Sequence, residues 1–207
     1  MEGSGKSTHL KRAAAFLRRN GHRVLVLREP GGTRVGEAIR EILLDKNHRD
    51  MTCETELLLY LAARAQIVRE KILPALRKGR VVICDRFEDS TMAYQGYGRG
   101  ISIKKIRRII LNVGTVRPAR HLAGGEPPLH LQPDLTFLLD LDPAEGMKRG
   151  GRHDRVERES LAFHRKVRRG FLALARKNKR RFIVLDAHRP IETVAQKIRK
   201  ELDRVLG

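Results

Sequence analysis

Near its start the chain carries Gly3-Ser4-Gly5-Lys6-Ser7-Thr8, residue types that together suit the holding of phosphate. Glycines let backbone N–H groups turn inward around phosphoryl oxygens, a lysine beyond them reaches terminal oxygens, and a serine hydroxyl can ligate Mg²⁺. A helix beginning directly after Gly5 adds the N–H groups and the favourable dipole of its first turn. The run forms the second half of the G-x-x-x-x-G-K-[ST] pattern, whose first glycine would fall one position before Met1.

Other groups have the same character. Asp85 and Arg86 directly follow the apolar run Val81-Val82-Ile83-Cys84. In doubly wound sheets the ligand crevice lies beyond the carboxyl ends of the strands, so the pair is expected beside the phosphate loop. There Asp85 can organise Mg²⁺ or its waters, and Arg86 can hold phosphoryl oxygens. Arg28 repeats this geometry ahead of Glu29-Pro30-Gly31-Gly32 and points to a second phosphate. Tyr60 and Arg64, four positions apart, share one side of a helix. That spacing fits a ring and guanidinium that recognise a base, and equally a packed tyrosine with a surface arginine. Tyr94-Gln95-Gly96-Tyr97-Gly98-Arg99-Gly100 combines amide, ring and guanidinium donors with three glycines and reads as a close-fitting substrate loop. Arg149, Arg152 and Arg155 recur every third residue, a segment able to close over transferring phosphates and exclude water.

Such groups need a scaffold. Apolar runs at 24–27, 81–84, 135–139 and 182–185 have the length and continuity of strands buried in a parallel sheet. Helical spacing predicts helices over 8–19, 35–44, 54–77 (with a possible kink at Pro74), 101–112, 156–178 and 191–205. The pattern is α/β: a parallel β-sheet flanked by helices, of P-loop NTPase type, forming one domain over 1–207 with a lid at about 144–157. Prolines and glycines at 114–132 predict an unusually long loop. Since that fold sets a short strand ahead of its phosphate loop, the expectation is a sheet without its first strand and a natural translation start upstream of Met1.

Lys and Arg number 44 against 24 Asp and Glu, a formal charge of +20. Residues 152–181 alone hold 12 basic and 3 acidic residues. Such a surface attracts polyanions whatever its role. A solvated helical face and a lid that uses a few of these arginines are compatible readings. Cys53 and Cys84 form no disulfide framework and suit free thiols in a reducing compartment. Without a secretory or membrane-spanning stretch in the sequence, a cytoplasmic protein is expected.

With these pieces placed, the chain resembles the thymidylate kinase family, P-loop enzymes of the nucleoside monophosphate kinase group that phosphorylate dTMP. The resemblance runs through Arg28-Glu29-Pro30-Gly31-Gly32-Thr33, Ala62-Ala63-Arg64-Ala65-Gln66, Asp85-Arg86-Phe87, Asp89-Ser90-Thr91, Pro133-Asp134-Leu135-Thr136 and Asp154-Arg155-Val156-Glu157. It implies ATP binding by Gly3, Ser4, Gly5, Lys6, Ser7 and Thr8 together with the lid arginines Arg149 and Arg152, and Mg²⁺ at Ser7 and Asp85. It implies dTMP binding by Glu2, Arg28, Tyr60, Arg64, Arg86, Gln95 and Tyr97. Tyr60 would stack on the base, Arg64 and Gln95 would hydrogen-bond it, and Tyr97 would lie near the deoxyribose. Lys6, Asp85, Arg86, Arg149, Arg152 and Arg155 would serve transfer itself. Glycine at position 3 is similar to the bacterial-type arrangement, in which lid arginines supply the positive charge. The family also implies a homodimer. The length of 114–132, Phe87 where tyrosine is frequent, and the basic surface depart from its pattern. Another P-loop nucleotide kinase would share the phosphate apparatus but differ around Tyr60, Arg64 and Gln95. A basic nucleic-acid-binding protein would explain the charge and leave the ordered motifs coincidental.

Overall fold

A computed structural model describes residues 3–114, 131–149 and 154–206. Its strands are β1 (Val24–Arg28), β2 (Val81–Asp85), β3 (Thr136–Asp140) and β4 (Phe182–Asp186). Each ends one residue later than the sequence predicts, on a charged side chain, and β3 also starts one residue late, leaving Leu135 outside it. All observed pairing is parallel. β1 pairs with β2 from Val24 opposite Val81 to Arg28 opposite Asp85, and β3 pairs with β4 from Thr136 opposite Phe182 to Asp140 opposite Asp186. This register brings Arg28 and Asp85 out side by side at one carboxyl edge. β2 and β3 both line an apolar groove of about 360 Å³ that also touches Leu10 and Leu202.

Helices cover both faces of the strands, which is why the strand sequences are continuously apolar. Successive residues of β3 show it, since Leu138 and Leu139 point to opposite faces and belong to different cores. Leu139 packs with Ala14 and Leu17 of α1 (Lys6–Arg19) and with Val194 and Ile198 of α9 (Ile191–Leu206). Leu138 joins Leu57 and Leu61 of α3 (Cys53–Ile67), Ile106 of α6 (Ile103–Gly114), and Val167 and Phe171 of α8 (Leu161–Lys177). Helix α2 (Arg34–Leu44) precedes α3 and is capped by the Thr33 hydroxyl, which accepts from the Gly36 N–H at 2.9 Å. The long helix predicted to Arg77 is continuous but passes through a π-helical turn, Val68–Ile72, into α4 (Leu73–Arg77). Pro74 directly follows that turn, in which the Leu73 N–H donates to the Val68 carbonyl, so the chain has already left the regular ladder that a proline interrupts. Helix α8 starts at Leu161 rather than 156, because the Ser160 hydroxyl accepts from the Phe163 N–H and fixes the boundary. A short helix at Pro143–Arg149 (α7) was not foreseen. Among the described residues no helix is long and apolar enough to cross a membrane. Cys53 and Cys84 are free thiols, half-buried. Most of the predicted 114–132 loop, and 150–153 of the lid, lie outside the described residues.

The segment read as a substrate loop is helical: α5 (Glu88–Thr91) continues into a π-helical stretch, Met92–Gly98. Its glycines suggested a loop, yet Gly98 is a contact point. A Cβ there would lie 2.7 Å from the Phe163 ring of α8, and one at Gly170 of α8 would lie 2.7 Å from Cγ of Tyr97. Gly170→Val is therefore expected to overpack this contact and lower stability by about 1–3 kcal/mol, read as a fall in thermal midpoint. An unchanged midpoint would show that Tyr97 gives way freely.

Candidate functional site

The carboxyl ends of β1 and β2 open into a cleft of about 200 Å³. Lys6 and Ser7 line it from α1, Arg28 and Asp85 from the strand ends, and Tyr60, Arg64, Arg86 and Gln95 from beyond. Residues spread over ninety positions of sequence thus share one space.

At the phosphate end the backbone turns through left-handed conformations at Gly3 (φ 65°) and Gly5 (φ 81°), which only glycine adopts at no steric cost. Gly5 caps α1 with no side chain of its own to satisfy the first-turn N–H groups, and that turn holds no acidic residue. It is electrostatically open to an anion. A Cβ at Gly3 would lie 2.5 Å from the Gly146 carbonyl oxygen and 3.1 Å from Cβ of Arg149, so α7 is pressed against the turn and Arg149 stands beside it. The Arg149 guanidinium is half-exposed and 3.6 Å from Glu145. Ser4 is buried and Thr8 exposed.

Arg86 has φ 71°, the one non-glycine residue with positive φ among the described residues. Such a conformation costs on the order of 1–3 kcal/mol, and here it places the guanidinium 5.0 Å over the Tyr94 ring at the cleft wall. Arg28 donates to Glu37 at 2.8 Å, and Glu37 also accepts from the Gly32 N–H at 2.7 Å. That carboxylate therefore orders the Pro30-Gly31-Gly32 turn and Arg28 together. The Gly32 hydrogen bond, then Arg28, holds it below the usual carboxylate range despite some burial. Arg40, which sequence reasoning passed over, donates to the Pro30 carbonyl at 2.9 Å and also lines the cleft.

Deeper in, Arg64 is buried. Its Nε donates to Glu29 at 2.8 Å, a terminal nitrogen reaches the same oxygen at 2.7 Å, and the other donates to Thr91 at 2.8 Å. The second Glu29 oxygen has no hydrogen-bond partner, and burial raises this carboxyl above its ordinary value in spite of Arg64. Burial, with the Glu56 carboxylate nearby, also raises the Tyr60 phenol, which stays a neutral ring.

Two sequence expectations are corrected by position. Arg155 does not stand in a row of phosphate-facing arginines. It is buried, donating to the Glu56 carboxylate at 2.7 Å and to the Leu43 carbonyl at 2.9 Å. A side chain with those partners is a structural tie, because leaving them would strand a buried carboxylate. Tyr97 does not line the cleft; its ring packs over Gly170. Glu2 and Arg152 lie outside the described residues. Glu56 was missed by sequence reasoning, although its place one turn before Tyr60 on α3 was a usable signal.

Among the described residues no group of three or more His, Cys, Asp or Glu side chains could cage a metal ion. Ser7 and Asp85 face the same cleft, and that sparse donor set suits Mg²⁺, which keeps waters and leans on substrate phosphates.

A family model described as thymidylate kinase matches residues 1–198. The thymidylate kinase of Geobacter sulfurreducens is 47% identical over 207 residues, covering 96% of this chain and 91% of that protein. The enzyme of the same name from Deinococcus radiodurans is 48% identical over 200 residues, with 95% and 90% covered. The crystal structure of thymidylate kinase from Ehrlichia chaffeensis superposes with a TM-score of 0.71 at 30% identity, covering 100% of this chain and 93% of that one.

Proposed function

This chain belongs to the thymidylate kinase family, in its bacterial-type form, and on that premise we propose how its cleft carries out the reaction. The protein is an enzyme that transfers the γ-phosphoryl group of ATP to the 5'-phosphate of dTMP, giving dTDP and ADP. The observation that carries the assignment of roles is the convergence of Lys6, Ser7, Arg28, Asp85 and Arg86 on one cleft with Tyr60 and Gln95.

Gly3 to Thr8 wrap the ATP phosphates, with Lys6 on the terminal oxygens and Arg149 alongside. Arg28 and Arg86 hold the acceptor phosphate. Tyr60 offers its ring to the base, and Arg64 and Gln95 face its edge. Glu2 and Arg152 keep their family-implied roles within this proposal. Mg²⁺ bound with ATP neutralises phosphate charge, and Ser7 and Asp85 would hold it. Transfer is in line and relies on positioning and charge stabilisation, so the chain needs no covalent nucleophile. Pairing into a homodimer, for which exposed Val35, Ile42 and Leu58 of α2 and α3 offer an apolar surface, is part of the same proposal. So are a cytoplasmic setting and the absence of a specific nucleic-acid partner.

The test is a coupled ADP-release assay on dTMP, dUMP, UMP, CMP and AMP, with and without Mg²⁺. Turnover should be greatest on dTMP and vanish without the metal. Equal use of AMP or CMP would point to another nucleotide kinase. Salt-resistant nucleic-acid binding with no ATP consumption would favour the binding-protein reading.

A further inference from the structure

Glu56 does not line the cleft, yet it fixes a side chain that does. It is 1% exposed and accepts four hydrogen bonds: from Gln95 Nε2 at 2.8 Å, from Arg99 at 3.1 and 2.9 Å, and from Arg155 at 2.7 Å. Arg99 also donates to Glu159 at 2.5 Å, so two carboxylates balance two guanidiniums. Burial alone would raise the Glu56 carboxyl, but the bonds from Arg99, Gln95 and Arg155 outweigh it and hold the group ionised.

The consequence falls on Gln95, itself 2% exposed and on the cleft wall. An ionised carboxylate only accepts, whereas an amide presents a donor end and an acceptor end. Glu56 therefore admits one orientation, with the NH₂ toward itself, and leaves the Gln95 carbonyl oxygen for the cleft. An acceptor there suits a pyrimidine with a protonated ring N3, as in thymine and uracil. Cytosine offers a lone pair at N3, and the mismatch leaves two acceptors facing each other.

Building on the dTMP reading above, we infer that Glu56 is a positioning residue for specificity, selecting N3-protonated pyrimidines over cytosine by locking the Gln95 amide. It touches no substrate and acts through Gln95.

The test is steady-state kinetics of wild type and Glu56→Gln on dTMP and dCMP. A glutamine at 56 can donate or accept, so the Gln95 amide is free to turn. The dTMP-to-dCMP ratio of kcat/KM should fall at least about tenfold, and KM for dTMP should rise while KM for ATP stays within about twofold. Arg155→Met removes a guanidinium from the same carboxylate but leaves Gln95 facing it, so its ratio should stay within about threefold of wild type. A wild-type ratio in Glu56→Gln, or an equal collapse in Arg155→Met, overturns the inference while wild-type turnover of dTMP leaves the reaction standing. A wild type inert on dTMP would remove the reaction and the inference with it. If Glu56→Gln does not fold, the Gln95 side-chain amide of ¹⁵N-labelled wild type, identified by its loss in Gln95→Leu, decides. Slow exchange of an amide proton with water supports the lock, and exchange as fast as that of surface glutamines refutes it.

Discussion

Lys6→Ala is expected to lower kcat by about 10²–10³-fold, the usual loss when one preorganised charge aimed at the transition state is removed. Lys6 is the first residue of α1, directly beyond the left-handed Gly5, and lines the cleft shared with Asp85 and Arg86. In the proposed role its ammonium would meet charge that builds on the moving phosphoryl group, so the loss should appear in kcat more than in KM for ATP. The fold should not suffer. Alanine is the better helix former, and the variant should unfold within about 1 kcal/mol of wild type. Lys6→Arg should rescue little, since a planar fork cannot stand in for a compact charge inside the turn. Steady-state kinetics beside urea unfolding checks both halves. A kcat within about threefold of wild type would remove Lys6 from its role.

How legible this site was in the sequence depended on the range of each interaction. The phosphate turn is local: glycines, lysine and serine adjacent in the chain must be adjacent in space, and the structure adds only the approach of α7. The strand ends were nearly as readable, because continuous apolar runs dictate buried parallel strands and the next residue must emerge at the carboxyl edge. Arg155 shows where such reading stops. Three-residue spacing suggested a row with Arg149 and Arg152, but the groups that claim Arg155 are Glu56 and the Leu43 carbonyl, ninety-nine and one hundred and twelve positions away. No local pattern encodes those contacts. Gly98 misled for the opposite reason, since glycine permits a turn and also permits close packing, and only the neighbouring Phe163 decides between them.

The basic stretch divides along the same line. Arg155, Arg168 and Arg181 turn inward to carboxylates: Arg155 to Glu56, Arg168 to Asp140 and Asp142, and Arg181 to Asp89. Arg165, Lys166, Arg169, Arg176, Lys177, Lys179 and Arg180 remain exposed. Part of the positive charge therefore holds elements together, and the rest forms the solvated face that attracts polyanions at low salt.

Replacing Arg64 should separate stability from recognition. In Arg64→Leu the Glu29 carboxylate, 5% exposed, loses the guanidinium that holds it from two nitrogens. Breaking a buried pair from one side costs about 3–5 kcal/mol, which in a chain of this size is a fall in thermal midpoint of roughly 6–20 °C. The pH dependence gives the cause. Glu29 already titrates above its ordinary 4.5 in the folded protein, and loss of Arg64 raises it further. An acid that titrates higher when folded loses stability as pH rises from its unfolded value toward its folded one. The deficit of Arg64→Leu should therefore be small near pH 4.5 and widen toward neutrality. Adding Glu29→Gln removes the stranded charge, so the double variant should recover most of the stability and lose the pH dependence. With Arg64 facing the base as proposed, dTMP turnover of the double variant should stay at least about 10²-fold down. Urea unfolding at acidic and neutral pH, set beside turnover, separates the two effects. If single and double variants are equally unstable at every pH, the value of Arg64 to the fold lies in its hydrogen bond to Thr91 and in its guanidinium, 5.1 Å over the Phe87 ring, rather than in the ion pair.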